Sequence, residues 1–425
     1  MTKATKDNYV PLTSDTLRER LQSVAAVTDR LGNDVSQWQV REVGDGNLNL
    51  VFIVESPVGA LVVKQALPYV RLVGDSWPLP LKRCFFEYNA LNRQAARDPG
   101  RVPEVHHFDD AQSLMVMRYL SPHVILRKSI IRGVVHPNLA RDMGRFMART
   151  LFRGSNLSMT APEAKADLAL FADNVALCDI TENLVFTDPY FDAPMNRHTP
   201  GLGPWVAKLR ADRDMRVAAQ EMKQAFVSQG ETLCHGDLHS GSIMVTEVDT
   251  QVIDPEFAVY APFGLDVGML LANFLMGYFS QSGHEDKPGA REGYRNWLLE
   301  MTAETWDVFV AEFTHLWRTE RSGILYARTL YEDQGDVIGA EQALQRLLSR
   351  IWVDTLGFCG VEMHRRILGL AHIEDLESIT DEGARVVAER RVLALGRHLA
   401  VNRGTIPGVG AVLSLARRIE KEDLS

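Results

Sequence analysis

Two short acidic stretches carry most of the chemistry open to this chain: His235-Gly236-Asp237-Leu238-His239-Ser240-Gly241-Ser242 and Ile253-Asp254-Pro255-Glu256-Phe257. Ile243-Met244-Val245 lies between them, and Gln251-Val252-Ile253 leads into the second, so the order reads loop, strand, turn, strand, loop. An isolated Asp in one loop and two carboxylates in the next suit phosphoryl transfer from a nucleotide. One carboxylate orients the acceptor hydroxyl and takes its proton, and the others hold magnesium on the phosphates. Asp237 is the acceptor-side candidate, in a tight loop that Gly236 can bend. Asp254 and Glu256 are two positions apart, so on extended chain their side chains point the same way. That suits a shared Mg2+, which prefers oxygen ligands and usually keeps several waters. His235 and His239 have four-residue spacing, but the loop is not helical and no third ligand fits, so a metal pair is not expected. His235 is expected to buttress the loop. Asp266, opening an apolar helix after Gly264, either accepts backbone N–H bonds from the Asp237 loop or caps its own helix.

The nucleotide side is read from three residues in order. Gly44-Asp45-Gly46 lies between two strand-like runs, where a hairpin can fold over phosphates and offer backbone N–H groups. No Gly-Lys-Ser/Thr follows and no helix begins there, so it is not a Walker A loop. Lys64 ends the apolar run Ala60-Leu61-Val62-Val63, where a buried ammonium is costly without anionic partners. Glu87, on the following helix, is its natural ion-pair mate.

The elements that must position these groups divide the chain. Leu17, Leu21, Val24 and Val27 follow a Thr13-Ser14-Asp15 capping signal and predict a helical start. Trp38 to Val43, Leu50 to Val54 and Ala60 to Lys64 read as a β-meander joined by glycine turns. A Trp77-Pro78-Leu79-Pro80 loop, a helix around Phe85 to Gln94, and strands at Val105 to Phe108 and Leu114 to Met117 follow. From Ser121-Pro122 onward the pattern is mainly helical. The expected class is α+β and bilobal: a small β-rich N-terminal lobe over 1–118, with a helical extension, and a large, mainly α-helical C-terminal lobe over 119–425. The hinge is expected near Met117 to Ser121.

Composition narrows the class. Apolar residues make up 46% and charged residues 24%, the balance of a soluble globular chain. A formal charge of −9 argues against nucleic acid as a partner. Cys84, Cys178, Cys234 and Cys359 are widely spaced, without metal-ligand or CxxC spacing, and read as reduced thiols. The first residues lack the apolar core of a signal peptide, and Val267 to Phe279 is too short to span a bilayer. A cytoplasmic location with no membrane association is expected.

In motifs spread from about residue 40 to residue 385 the chain resembles the 5-methylthioribose kinases of methionine salvage. The resemblance rests on Val43-Gly44-Asp45-Gly46-Asn47-Leu48-Asn49-Leu50-Val51-Phe52, Val63 to Arg71, Ser76-Trp77-Pro78-Leu79 and His235 to Met244. It continues in Asp254 with Glu256-Phe257, Gly357-Phe358-Cys359-Gly360, Arg365-Arg366 and Gly369-Leu370-Ala371-His372. The kinase motifs are shared with aminoglycoside phosphotransferases and choline kinases; the glycine loop, the Trp-Pro segment and the double arginine together are more specific. The resemblance implies a kinase-like bilobal fold, and transfer of the γ-phosphate of ATP to the anomeric 1-hydroxyl of methylthioribose. It implies Asp237 as the catalytic and substrate-facing carboxylate, Asp254 and Glu256 as Mg2+ ligands, and Lys64 on the phosphates. Gly44, Asp45, Gly46, Asn47 and Asn49 would join Lys64 and Glu87 on the nucleotide side. Arg365 and Arg366 would approach the sugar and the transferring phosphoryl group, and the Trp77 loop would close over the substrate. It also implies a homodimer.

Adjacent arginines point apart on a helix, so both can serve one site only from a helix end or a loop. Arginine grips phosphate oxygens through paired N–H groups and offsets charge in the transition state. Ser242 stands five positions after Asp237, where many kinase-like enzymes place a metal-binding Asn. The methylthioribose kinases also carry Ser there, which shifts the metal load to Asp254 and Glu256. Arg118-Tyr119 replaces the Glu-Asp frequent in the family at the hinge and bears on nucleotide preference. Two rivals stay open at this point: a kinase of another small alcohol or amino-sugar, and a non-catalytic nucleotide-binding sensor.

Overall fold

The computed structural model describes residues 9–44, 48–70 and 74–422, which form two compact units. One takes in the chain through His123 together with Asn174–Leu177 and Gln251–Ala258; the other holds Val124–Asp173, Cys178–Thr250 and the chain from Val259 onward.

The first unit is built from the strands β1 Gln39–Glu42, β2 Asn49–Glu55, β3 Ala60–Ala66, β4 Tyr69–Val70, β5 Gly74–Pro78, β6 Val105–Asp109 and β7 Leu114–Arg118. Five of them form one antiparallel sheet in the order β1-β2-β3-β7-β6, while β4 and β5 pair separately. Side chains alternate between sheet faces. Leu50, Phe52 and Val54 of β2 and Leu61 and Val63 of β3 therefore share one buried cluster with Leu17, Leu21, Val27 and Leu31. Lys64, one step on, goes to the opposite face. The helical start divides into α1 Ser14–Leu21 and α2 Ala25–Leu31, with Val24 extended between them. Thr13 caps α1 and shares a capping box with Thr16. The expected Trp77 loop is corrected: Trp77 lies within β5, where pairing of Tyr69 with Pro78 draws the segment into a ribbon.

The helix α3 Arg83–Arg97 follows β5, and Arg83 and Glu87 stand one turn apart on one buried face. The segment Gln251–Ala258 belongs to this same unit and brings Asp254 and Glu256 to it.

In the second unit a short antiparallel pair, Thr232–Cys234 with Val259–Ala261, launches the loop that carries Asp237. Behind the loop runs the helix Gly264–Ser280, all of whose residues are buried. It packs closely on the long helix Val337–Leu368. A side chain at Gly264 or Gly268 would meet the Thr355 backbone at 2.5 Å, so these positions require glycine for the backbones to approach. Among the described residues no helix is long and apolar enough to cross a membrane.

The long helix also holds His364, fully buried, with Nε2 2.9 Å from the Leu393 carbonyl oxygen. Burial pushes this imidazole down from 6.5 to about 4. The unfolded chain thus binds the extra proton between those two values, so stability is complete above pH 6.5 and drains as pH falls towards 4. The expected loss is about 3 kcal/mol. Urea titrations across that pH range should show a slope that His364→Gln flattens. An unchanged slope in the variant would assign acid sensitivity to other groups.

Candidate active site

The first unit contains one carboxylate cluster. Lys64 Nζ lies 2.7 Å from Glu87 Oε1 and also contacts Asp254 Oδ1. Glu256 is held from two sides, by Asn49 Nδ2 at 3.3 Å and by Arg83 Nε at 3.3 Å from its Oε2. Arg83 is fully buried and donates to the carbonyl oxygens of Leu67, at 2.8 Å, and Leu48. Its Nη2 also lies 3.0 Å from Asn49 Oδ1. One guanidinium thereby joins the start of β2, the end of β3 and the carboxylate of Glu256.

Glu87, Asp254 and Glu256 each offer a carboxylate oxygen, and the three oxygens lie within 4.8 Å of one another. Such hard oxygen donors fit a divalent cation such as Mg2+. The electrostatics agree. Burial pushes the Glu256 carboxyl up, and neighbouring Asp254 adds to this against Lys64 and Arg83. Burial also pushes Glu87 up, to about 8, against the pull of Lys64. Burial would lower the Lys64 ammonium, yet Asp254, Glu87 and Glu256 hold it well above its ordinary value. Three carboxylates crowd Lys64 and Arg83, and the upward push on Glu87 and Glu256 is a penalty on their charged forms that a bound divalent cation would relieve.

The expectation that Asp254 and Glu256 converge by lying on extended chain is corrected. Asp254 has φ +67°, in the left-handed region, and a turn follows at Glu256. Asp tolerates this conformation better than most residues. Asn174 steadies the turn, its Nδ2 donating to the carbonyl oxygens of Glu256 at 2.9 Å and Ala258 at 3.1 Å. Gly44 lies in the turn leaving β1, while Asp45, Gly46 and Asn47 lie outside the described residues.

The second unit gathers a different set. Asp237 Oδ1 accepts from Arg365 Nη2 at 2.9 Å and Arg366 Nη2 at 3.3 Å, and its Oδ2 lies 3.3 Å from His239 Nε2. Both arginines occupy the last turn of Val337–Leu368, the helix end at which cations are favoured. Glu362 holds them as a fork: Oε2 accepts from Arg365 Nε and Oε1 from Arg366 Nε, each at 2.6 Å. Burial alone would raise the Asp237 carboxyl. The His239 ring and its hydrogen bond, then Arg365 and Arg366, reverse this and hold it well below the usual carboxylate range.

The loop is pinned from behind. Asp266 accepts the backbone N–H groups of His235 at 2.7 Å and Gly236 at 3.0 Å, the first of the two roles open to it from sequence. Two turns along the same helix, Asn273 Oδ1 accepts the N–H and hydroxyl of Ser240 at 3.2 and 3.0 Å. Gly236 has φ +86°, which a side chain would resist. His235 Nδ1 stands 3.4 Å from the Asp237 nitrogen, and Ser242 turns its hydroxyl to the Asp237 carbonyl oxygen at 3.1 Å.

Sequence reasoning missed Glu362, Arg83 and the contact of His239 with Asp237. Glu362 carried a signal, since it stands three and four residues before the two arginines, the spacing of helical ion pairs. Arg83 carried a weaker one, a cation in the first turn of a helix, where the dipole disfavours it.

The phosphotransferase enzyme family model matches residues 39–308, more than half of the chain. Methylthioribose kinase 1 of Oryza sativa subsp. japonica is 41% identical over 97% of this chain and 96% of its own length. A methylthioribose kinase of Escherichia coli is 42% identical over 98% of this chain and 100% of its own length. Among solved structures, a glucosamine kinase in complex with glucosamine, ADP and inorganic phosphate superposes with TM-score 0.45 at 17% identity, over 84% of this chain and 75% of that one.

Proposed function

The chain belongs to the methylthioribose kinase family of phosphotransferases, and we propose that it moves the terminal phosphate of ATP to the anomeric 1-hydroxyl of 5-methylthioribose, in methionine salvage. The observation that carries this reading is the pair of guanidiniums that Glu362 fixes on Asp237. Two cations beside the acceptor-side carboxylate suit a neutral sugar that becomes an anionic phosphate ester, and they oppose a cationic acceptor such as an amino-sugar.

In this reading Asp237 accepts a hydrogen bond from the 1-hydroxyl and aims its oxygen at the terminal phosphorus. The new O–P bond forms as the bond to the β-phosphate oxygen breaks, ADP departs, and the hydroxyl proton passes to Asp237. A carboxylate held at low pKa is a weak base, so its main contribution is orientation, with proton transfer late in a loose transition state. Arg365 and Arg366 offset charge on the transferring group. Lys64, steadied by Glu87, takes phosphate oxygens. Magnesium would supply positive charge that offsets the charge of the ATP phosphates. Asp254 and Glu256 would hold it. Trp77 offers apolar cover for the methylthio group.

The assay is purified protein with ATP, Mg2+ and 5-methylthioribose, followed by phosphorus NMR. A new anomeric phosphate is expected. ATP bound yet never consumed with this sugar would return the search to other hydroxyl acceptors or to a sensor.

Asn49 supplies a separate test, because its amide orients Glu256. Partners that orient a ligand typically change metal affinity 10–100-fold, so Asn49→Ala should weaken Mg2+ by about tenfold. Titration of Mg2+ by calorimetry reads this directly, and an unaltered midpoint would remove Glu256 from the metal site. The family likeness also supports a homodimer and a cytoplasmic location, in keeping with four cysteines that are free thiols. Light scattering at working concentration tests the dimer.

A further inference from the structure

We propose that Arg127, anchored by Asp375, is a positioning residue that fixes the pose and tautomer of His239 against Asp237. The inference rests on the reading of Asp237 as the acceptor-side carboxylate, and it concerns three residues to which that reading assigns no part.

The strand Val124–Ile125 pairs with Met244 and Val245, which sets the start of the helix Leu126–Arg132 beside the end of the Asp237 loop. Arg127, in the first turn of that helix, stands where the dipole disfavours a cation. Its Nη2 lies 3.3 Å from His239 Nδ1, and its Nε lies 3.2 Å from Ser240 Oγ. The backbone N–H of Gly241 reaches the same His239 Nδ1 at 2.9 Å. A side chain at Gly241 would strike the ring, at 2.7 Å from Cε1, so the close seating needs glycine.

A guanidinium N–H and a backbone N–H are obligate donors. With both aimed at Nδ1, that nitrogen must present its lone pair, and the ring proton sits on Nε2. There it faces Asp237 Oδ2 at 3.3 Å and donates to it. Burial pushes the His239 imidazole down to about 4, so the ring is neutral at neutral pH and this tautomer is its working form. One Asp237 oxygen is thus engaged by His239 and the other by the two arginines, which leaves the carboxylate a single orientation.

Arg127 needs an anchor of its own. Asp375 is fully buried, neither of its carboxylate oxygens accepts a hydrogen bond among the described residues, and Arg127 Nε lies 3.6 Å from its Oδ2. A buried carboxylate without hydrogen bonds is retained at a cost that the neighbouring guanidinium offsets. The order Asp375, Arg127, His239, Asp237 follows the logic by which a buried carboxylate orients a histidine in other enzymes, here with a guanidinium interposed.

The test uses the full chain with nitrogen-15 in its histidines, without substrate, and identifies the His239 ring by its disappearance in His239→Gln. The wild type should show the Nε2–H tautomer. In Arg127→Ala the His239 signals should move towards a tautomer mixture, and kcat should fall about tenfold with KM for ATP unchanged. Asp375→Asn should shift both in the same direction by less, and Arg127→Lys should recover part of kcat. Folded Arg127→Ala with an unchanged His239 spectrum and unchanged kcat overturns the proposal. If Arg127→Ala does not fold, Asp375→Asn decides: a shifted spectrum supports the proposal and an unshifted one overturns it. Because the spectrum is read without substrate, a wild type inactive on methylthioribose would remove the functional reading while leaving the tautomer result to stand.

Discussion

Asp237→Asn is expected to lower turnover by about 10²–10⁴-fold while ATP binds as in the wild type. The substitution keeps the shape and removes three things at once: the acceptor that the proposed mechanism assigns to the hydroxyl proton, the charge facing Arg365 and Arg366, and one lone-pair site towards His239. In the native protein these partners hold the carboxyl ionised far below neutral pH. The wild type should therefore show no acid limb from Asp237 in its kcat profile near neutrality. In the proposed mechanism nucleotide binding falls to a separate set, Lys64, Glu87, Asp254 and Glu256, which contact one another and not Asp237. Calorimetry with an ATP analogue and phosphorus NMR of product together separate the two effects. Turnover close to the wild type would remove Asp237 from its assigned role. A parallel loss of ATP binding would show that the substitution had disturbed more than the acceptor side.

Glu362→Ala carries the largest expected cost in stability. Its carboxylate is fully buried, and burial by itself would raise its pKa; Arg365 and Arg366 reverse that and hold it low. Two carboxylates, Glu362 and Asp237, balance two guanidiniums in this corner. Removing one leaves a buried positive charge uncompensated, a change that typically costs 3–5 kcal/mol, so a loss of about that size is expected. Glu362→Gln keeps the shape and one of the two accepting contacts, because its amide nitrogen can only donate, and should cost less. Both should depress turnover, because the arginines lose the fork that aims them at Asp237. Urea titration gives the stability, and a kcat against KM comparison gives the catalytic part. A Glu362→Ala protein that unfolds at the wild-type midpoint with full turnover would show that the arginines need no such support.

How much of this was legible beforehand differs residue by residue. Lys64 and Glu87 could be paired in advance because each sits on an element with a firm period, a strand that buries alternate residues and a helix that repeats every 3.6. The buried helix Gly264–Ser280 was readable from its apolar run, while the hold of its Asn273 on Ser240 came only with the structure. Asp254 and Glu256 were correctly suspected of converging, but for a reason the backbone does not supply. Their meeting depends on a left-handed turn at Asp254, which alternation along a strand does not encode.

By itself the sequence determined the class of chemistry, the order of the two acidic loops, the β-rich start and helical remainder, and the candidate groups on each. Those follow from local pattern, since strand, helix and turn preferences act over a few residues. Only the tertiary structure decided which partners tune these groups. Lys64 meets Asp254 across 190 positions and Asn49 meets Glu256 across 207, while Arg83 knits two strand ends to one carboxylate. Glu362 was within local reach, yet its effect on Asp237 arises only when the helix end and the Asp237 loop pack together. Burial and charge at close range set the pKa of a carboxylate, and both come from chain segments that no local spacing brings into register.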